Sequence, residues 1–166
     1  MPGGRAVRRT IDEVGVANAA NAESIGLGSA TFEMDIERGK IREFARATGS
    51  SHRAYLVDPR PVIPPTFLTT QATWQDDAAD PWLMSELNRV GGLHAEQEYI
   101  YHRPLRPGDI LTSETKEGKV WEKESKRAGK LIFRERITEH RDQKGELVIT
   151  ARGVGVTTER PVDAKK

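Results

Sequence analysis

The side chains best suited to acid–base chemistry in this chain are its four histidines, because an imidazole titrates near neutral pH. His52 lies in the segment Gly49-Ser-Ser-His-Arg-Ala-Tyr55, where a catalytic role and an ordinary surface position are both open. His94 stands two residues before Glu96, so the two would share one face of a strand. Such a pair either orients a histidine or forms an exposed polar patch.

The other two histidines suggest less chemistry. His102 lies in Tyr-His-Arg-Pro at a predicted strand end and is interpreted as a surface or interface residue, and His140 stands beside Arg141 in a predicted turn. No spacing among the histidines and nearby acidic residues is typical of a metal site. The chain has no cysteine, which excludes disulfides, zinc–thiolate sites and cysteine nucleophiles. We therefore expect neither a metal nor a cofactor.

Composition narrows the class of protein. The 166 residues carry 26 Lys and Arg against 25 Asp and Glu, a net charge of +1. This balance argues against nucleic-acid binding, because affinity for phosphates depends on excess positive charge. No apolar run approaches the roughly 20 residues that span a bilayer, and the arginine-rich start lacks the apolar segment of a secretory signal. We expect a cytoplasmic protein without a nucleic-acid or membrane partner.

The sequence pattern of the first half of the chain predicts a strand and two helices, with a long connection between the helices. Apolar and polar residues alternate at 29–35, which predicts a strand, and a helical stripe over 37–48 ends at Gly49. Residues 50–65 hold four prolines and no period, which predicts a long irregular connection. Residues 66–74 follow Pro64-Pro65 with apolar residues at helical offsets and no charged residue, which predicts a helix enclosed by other structure.

The second half of the chain predicts strands after an acidic linker with one helical turn at 76–90. They are expected over 93–101, 110–120, 130–139 and 146–157. Tyr99 and Tyr101 share a strand face and are interpreted as core or interface residues, with channel lining as the alternative. The lysine-rich stretch 116–130 is interpreted as a solvated hairpin, and the alternative is a docking surface for anionic coenzyme A or acyl-carrier phosphopantetheine.

Together these elements predict an α+β domain over residues 25–158, in which an antiparallel sheet wraps around a central apolar helix. Residues 1–24 are expected to form an arm or short helix, and 159–166 a polar tail. A sheet of this size leaves its edge strands exposed, so we expect a dimer to cover them.

Three segments carry a resemblance to a known family. They are Ile41–Gly49 (IREFARATG), Ile63–Leu68 (IPPTFL) and Leu93–Leu111 (LHAEQEYIYHRPLRPGDIL). Over roughly residues 25–157, their order and spacing resemble the hot-dog fold of MaoC-like dehydratases, and more narrowly the N-terminal MaoC-type domain of mycobacterial 3-hydroxyacyl-acyl-carrier-protein dehydratase subunits. The resemblance implies reversible hydration of an enoyl thioester carried by coenzyme A or an acyl carrier protein.

The resemblance also implies an acid–base pair that this chain lacks. Active members carry Gly-Asp-x-Asn-Pro-x-His after the first helix, and the matching positions here are Gly49, Ser50 and Tyr55. An unassisted serine hydroxyl is no base near neutral pH, and a phenol with a pKa of about 10 is a poor one. His52 is the alternative base. Ser50, His52 and Tyr55 are therefore the candidate catalytic positions.

In the family, the thioester oxygen gains negative charge and is stabilised by donors at the start of the central helix. Pro65 has no N–H, so the expected donors here are the N–H groups of Thr66 and Phe67, or the Thr66 hydroxyl. Gly49 and His94 complete the candidate substrate-binding set. Three functions are open: a homodimeric or heterodimeric hydratase, a non-catalytic subunit that shapes the acyl channel of a partner, and a hot-dog thioesterase.

Overall fold

A computed structural model describes residues 30–75 and 92–158. The strands in these ranges are β1 (Ala30–Asp35), β2 (Gly92–Tyr101), β3 (Ile110–Ser125), β4 (Gly129–Arg141) and β5 (Leu147–Thr158). The helices are α1 (Arg38–Ala47), α2 (Arg53–Leu56) and a 3₁₀ helix over Phe67–Thr73, here called the central helix. The predicted arm at 1–24, the linker turn at 76–90 and the tail at 159–166 lie outside the described residues.

The five strands form one sheet in the order β1-β3-β4-β5-β2, and every neighbouring pair is antiparallel. β1 and β2 are therefore its edges. One face of the sheet supplies the core, because alternate residues such as Phe32, Met34, Leu111 and Ile149 are buried there. Phe67 of the central helix is fully buried against the same cluster. This arrangement confirms the prediction of an antiparallel sheet around an apolar helix.

The predicted helix that follows Pro65 is a 3₁₀ helix. The spacing of its apolar residues predicts a helix but does not distinguish a 3₁₀ helix from an α-helix. Three threonine hydroxyls donate to carbonyl groups three residues earlier: Thr69 to Thr66 at 2.9 Å, Thr70 to Phe67 at 2.8 Å and Thr73 to Thr70 at 2.8 Å. Threonines that bond back to the preceding turn disfavour the regular α-helical pattern, and the i to i−3 spacing suits the tighter helix.

The hairpin of β3 and β4 is longer than its sequence pattern predicts. Trp121 and Phe133 stack with their ring centroids 5.2 Å apart, and this cross-strand pair extends the ladder beyond the predicted end of β3. Gly129 takes the left-handed conformation at the turn, with φ at +70°. The charged residues near the tip, including Lys123 and Lys126, are exposed, in agreement with the interpretation of a solvated hairpin.

The prediction that His140 lies in a turn is wrong. β4 continues through Arg141, and His140 is fully buried on the core face of the sheet. Its Nδ1 lies 2.7 Å from the Ser113 hydroxyl on β3, and the ring of Phe32 meets it edge-on. Burial lowers the pKa of His140 to about 4, so the ring is neutral in the folded protein at pH 7.

No helix in the described ranges has the length and apolar character needed to cross a bilayer.

Candidate functional site

The end of α1 positions the first candidate residues. The N–H of Gly49 donates to Arg46 O at 3.0 Å and the N–H of Ser50 donates to Ala45 O at 2.8 Å, the two bonds of a Schellman motif. Gly49 has a φ of +71°, a conformation that favours glycine. The chain therefore turns sharply at Gly49, as predicted, and Ser50 is the first residue after the turn.

Ser50 and His52 both use an acceptor atom on the local backbone. The Ser50 hydroxyl oxygen accepts from the N–H of His52 at 3.3 Å, and His52 Nδ1 accepts from the N–H of Ala54 at 3.2 Å. His52 is thus the N-cap of α2. Because Nδ1 accepts, the neutral ring carries its proton on Nε2. To act as a base through Nδ1, the exposed His52 would have to release this cap.

Tyr55 belongs to a cluster of three phenols rather than to an acid–base pair. Its ring lies 5.2 Å from that of His52, and its side chain packs against the core. Tyr99 and Tyr101 lie 6.4 Å apart and also pack against the core, and Tyr99 in addition lines a cavity, so it fits both the core interpretation and its alternative. Burial raises the pKa of Tyr101 well above its usual range, with smaller contributions from Tyr99 and Tyr55. A phenol in this setting remains protonated and acts as a hydrogen-bond donor.

Tyr101 is a positioning residue that sequence reasoning did not assign. Its hydroxyl donates to the carbonyl oxygen of Pro65 at 2.7 Å, across 36 positions of the chain. The strand alternation places Tyr101 on the core face, but only the packed structure shows which carbonyl it meets. This bond ties the end of β2 to the start of the central helix.

The start of the central helix offers fewer donors than expected. The N–H of Phe67 donates to Pro64 O at 3.0 Å, so it is already used within the protein. The N–H of Thr66 has no backbone acceptor among the described residues, and Thr66 is exposed. Of the two predicted N–H donors, that of Thr66 is therefore the one not bonded to a backbone carbonyl within the described residues.

The expectation that His94 and Glu96 share a strand face is wrong. The register pairs His94 with Gly155 and Glu96 with Val154, so the register shifts between them and Ala95 is unpaired. Because Gly155 and Val154 are consecutive residues of β5, their partners face opposite sides of the sheet. Glu96 forms an ion pair instead, with its Oε2 2.7 Å from Nη1 of Arg152. A bulge of this kind leaves no clear signal in strand alternation.

The remaining exposed histidine, His102, is a surface residue as interpreted, and its Nε2 lies 3.2 Å from the hydroxyl of Thr150. The first carboxylate after the motif segment is that of Asp58, which is exposed and accepts from the N–H of Arg60 at 2.8 Å. Within residues 30–75 and 92–158, no group of three or more His, Asp or Glu side chains is arranged to hold a metal ion.

An ion-pair network holds the loop between β2 and β3. The Arg103 guanidinium bonds the two Asp109 carboxylate oxygens at 3.0 and 3.2 Å and Asp142 at 2.8 Å. The Arg103 bond is the largest cause of the lowered pKa of Asp142, and bonds from the N–H groups of Lys144 and Glu146 add to it. The Arg-Pro-Leu-Arg-Pro-Gly-Asp stretch in the third matching segment therefore has a structural role. Its ion pairs fix the course of the chain between Tyr101 and the start of β3.

A cavity of about 240 Å³ lies between the central helix and the core face of the sheet. The helix side includes Leu68, Thr69 and Gln71, so the cavity begins one residue beyond Phe67. The sheet side includes Tyr99 and Arg136. Its wall combines polar and apolar surface in nearly equal parts, and it adjoins the apolar core. The uncharged helix was predictable from the sequence, but the strand residues that face it across the cavity were not.

Comparisons with known proteins agree with the architecture. A family described as "FAS1-like, dehydratase domain region" matches residues 23–151. A curated relative is a UPF0336 protein of Streptomyces griseus, which is 37% identical over 128 residues that make up 70% of this chain and 80% of that protein.

Two solved structures of low identity share the fold. The ChsH1-ChsH2 complex from Mycobacterium tuberculosis matches with a TM-score of 0.64 at 17% identity, over 90% of this chain and 92% of that chain. The C-terminally truncated HadBC (3R-hydroxyacyl-ACP dehydratase) complex from the same organism matches with a TM-score of 0.57 at 22% identity, over 82% of this chain and 99% of that chain. At these identities, the likeness concerns the fold.

Proposed function

Because this chain belongs to the FAS1-like dehydratase domain region family and has the hot-dog fold of MaoC-like dehydratases, we propose that it binds acyl thioesters but does not supply the acid–base pair for their hydration. The substrate class follows from the family, whose chemistry is the addition of water to an enoyl thioester or its reversal. The thioester is carried by coenzyme A or by an acyl carrier protein.

The arrangement after α1 is the observation that carries this proposal. The Schellman turn at Gly49 is intact, yet Ser50 and Tyr55 stand at the two positions where active members carry Asp and His. Neither replacement is a base near neutral pH, and His52 uses its Nδ1 to cap α2. Under this proposal the chain binds the thioester and leaves the acid–base chemistry to another subunit.

A second hot-dog subunit would supply the missing pair. Among the described strands, β2 is an edge whose outer hydrogen-bonding groups face no neighbour, and it presents Leu93 and Ile100 with exposed fractions of 59% and 48%. Unpaired edges and exposed apolar side chains are features of association surfaces. The similar HadBC and ChsH1-ChsH2 structures are complexes of two different subunits. We infer that this edge joins a second copy of the chain when the chain is alone, and that a different hot-dog subunit, which carries the acid–base pair, takes that place in an active complex.

Calorimetric titration tests the binding half of the proposal. Butyryl-CoA should bind the chain more tightly than coenzyme A alone, because its acyl group enters the cavity beside the central helix. Ala72→Trp should abolish that difference, since Ala72 is exposed and lines the cavity. Ala47→Trp is the matched control, because Ala47 is exposed at the end of α1 and does not line the cavity. Equal affinity for butyryl-CoA and coenzyme A in the wild type would overturn the proposal.

A further inference from the structure

Arg136 places a positive charge in the wall of the cavity. In the sheet register it stands between Gly153 of β5 and Glu117 of β3. Gly153 has no side chain, and a Cβ built on it would lie 3.9 Å from Arg136 Nη2 and 3.4 Å from Gln97 Oε1. The glycine thus leaves a space on the sheet surface that the guanidinium and the amide border.

A pair of hydroxyl groups adds donors to the same wall. The hydroxyls of Thr115 and Thr138 lie 2.8 Å apart and line the cavity, and the two residues are only 5% and 6% exposed. In this bond one hydroxyl donates to the other, so the accepting hydroxyl keeps a proton that it can donate to a ligand. The Gln97 amide is fixed by a bond from its Nε2 to Arg152 O at 3.1 Å.

The charges around the cavity favour an anion. Among the residues that the structure describes, the lining includes Arg136 and no aspartate or glutamate. The carboxylate of Glu117 lies opposite Arg136 in the register, and it also acts on the neighbouring buried guanidinium of Arg134. An acyl group that carries an acceptor at this end could bond the donors of Arg136 and the threonine pair, whereas a purely apolar acyl group gains only from its burial.

We propose that this cavity is a subsite for a short acyl group that ends in a carboxylate, with Arg136 as the counter-ion. The inference rests on the proposed function and adds the substrate class. A planar guanidinium matches a carboxylate through two parallel hydrogen bonds, and the threonine hydroxyl supplies a third donor. A volume of about 240 Å³ lies below the roughly 300–1,000 Å³ of pockets for drug-sized ligands, which restricts the acyl group to a few carbons.

Calorimetric titration of the full chain with three ligands tests this subsite: glutaryl-CoA, its terminal methyl ester and coenzyme A. The ester keeps the length of the acyl group and removes its charge. We expect glutaryl-CoA to bind at least tenfold more tightly than the ester, the effect of one charge-assisted hydrogen-bonded pair. Arg136→Gln should reduce this preference to less than threefold. Arg46→Gln is the matched control, because it removes one exposed positive charge on α1 and should keep the preference.

The outcomes separate this inference from the proposed function. If the ester binds as tightly as the acid, and both bind more tightly than coenzyme A, the carboxylate subsite is wrong and the proposed function stands. If Arg136→Gln weakens all three ligands equally, Arg136 holds a phosphate of coenzyme A and the inference is overturned. If no acyl-CoA exceeds coenzyme A, both proposals fail.

Gly153→Val provides a second variant in case Arg136→Gln does not fold. Valine is well suited to a strand, and its side chain would occupy the space beside the guanidinium and the Gln97 amide. The preference for the acid over the ester should again fall below threefold. An unchanged preference in the folded Gly153→Val protein would overturn the inference.

Discussion

The phenolic hydroxyl of Tyr101 donates a hydrogen bond of 2.7 Å to the carbonyl oxygen of Pro65. This bond links the last residue of β2 to the loop that leads into the central helix. Pro65 contributes no N–H to the helix start, so its carbonyl is the backbone group through which the sheet positions that start. The placement of Thr66 and of the adjoining cavity therefore depends on Tyr101.

Tyr101→Phe should lower the free energy of unfolding by about 1 kcal/mol, because it removes this bond and leaves the ring in place. Chemical denaturation measures the change. Tyr99→Phe is the matched control on the same strand, since the structure gives its hydroxyl no hydrogen bond within the described residues. Equal losses in the two variants would show that the bond to Pro65 contributes nothing specific.

Gly118→Ala should destabilise the protein by about 1–3 kcal/mol. A Cβ at Gly118 would lie 2.5 Å from Glu135 Oε2 and 2.9 Å from Glu135 Cγ. Glu135 cannot move freely, because it accepts from the N–H of Lys119 at 2.9 Å and pairs with Arg152. Thermal unfolding gives the comparison with Gly39→Ala, an exposed helical position with open space, where alanine should stabilise α1. A neutral Gly118→Ala would contradict the close approach.

His140 should make stability depend on pH between about 4 and 6.5. Its pKa is lowered to about 4 in the folded state by burial, whereas an unfolded histidine has a pKa of about 6.5. Between these values the unfolded chain binds more protons, so stability falls as pH is lowered through this range. The loss should be about 3 kcal/mol at pH 4, by the linkage of roughly 1.4 kcal/mol per pKa unit.

The control for this titration is the double variant His140→Phe, Ser113→Ala, which replaces the bonded pair with apolar groups. Other groups titrate in both proteins, so the measured quantity is the difference between their unfolding free energies from pH 7 to pH 4. That difference should change steadily between pH 6.5 and 4. A difference that is constant with pH would contradict the burial of a neutral His140.

The isolated chain should form at least a dimer, with a mass of about 37 kDa, twice the 18.5 kDa of one chain. Ile100→Lys on the edge strand should shift the protein toward a monomer in light scattering, because it places a charge among the apolar residues expected at the interface. Ile110→Lys is the control, since Ile110 is similarly exposed and lies on β3, whereas β2 is an edge among the described strands. A wild-type monomer at micromolar concentration would contradict self-association through this edge.

Strand alternation and helix stripes predicted the elements of the fold because each depends on neighbouring residues. The Ala30–Asp35 strand, the α1 helix and its stop at Gly49 follow from local patterns. The 3₁₀ form of the central helix depends on which carbonyl groups the threonine hydroxyls bond. The length of the β3–β4 hairpin depends on the stacking of Trp121 on Phe133. Side-chain contacts decide both features, so the spacing of apolar residues along the sequence does not reveal them.

The candidate site was predictable where the motif is continuous in the chain and unpredictable where it is assembled across the sheet. The Gly49–Tyr55 segment is contiguous, so the residues at its two motif positions, Ser50 and Tyr55, can be read directly from the sequence. The cavity instead joins Arg136, Gly153 and Gln97 through strand register, and one unpaired residue at Ala95 separates the faces of His94 and Glu96. A single unpaired residue of this kind changes every side-chain neighbour beyond it.

The rate of crotonyl-CoA hydration by the purified chain tests the central claim most directly, with Ser50→Asp, Tyr55→His and His52→Ala measured beside the wild type. General acid–base groups each contribute about 10²- to 10⁴-fold, so the wild type, which lacks both, should hydrate crotonyl-CoA at least about 10⁴-fold more slowly than a family member that carries them. His52→Ala should not change this, and the restored double variant should gain measurable activity. Robust turnover by the wild type alone would contradict the account, and its loss in His52→Ala would identify His52 as the base.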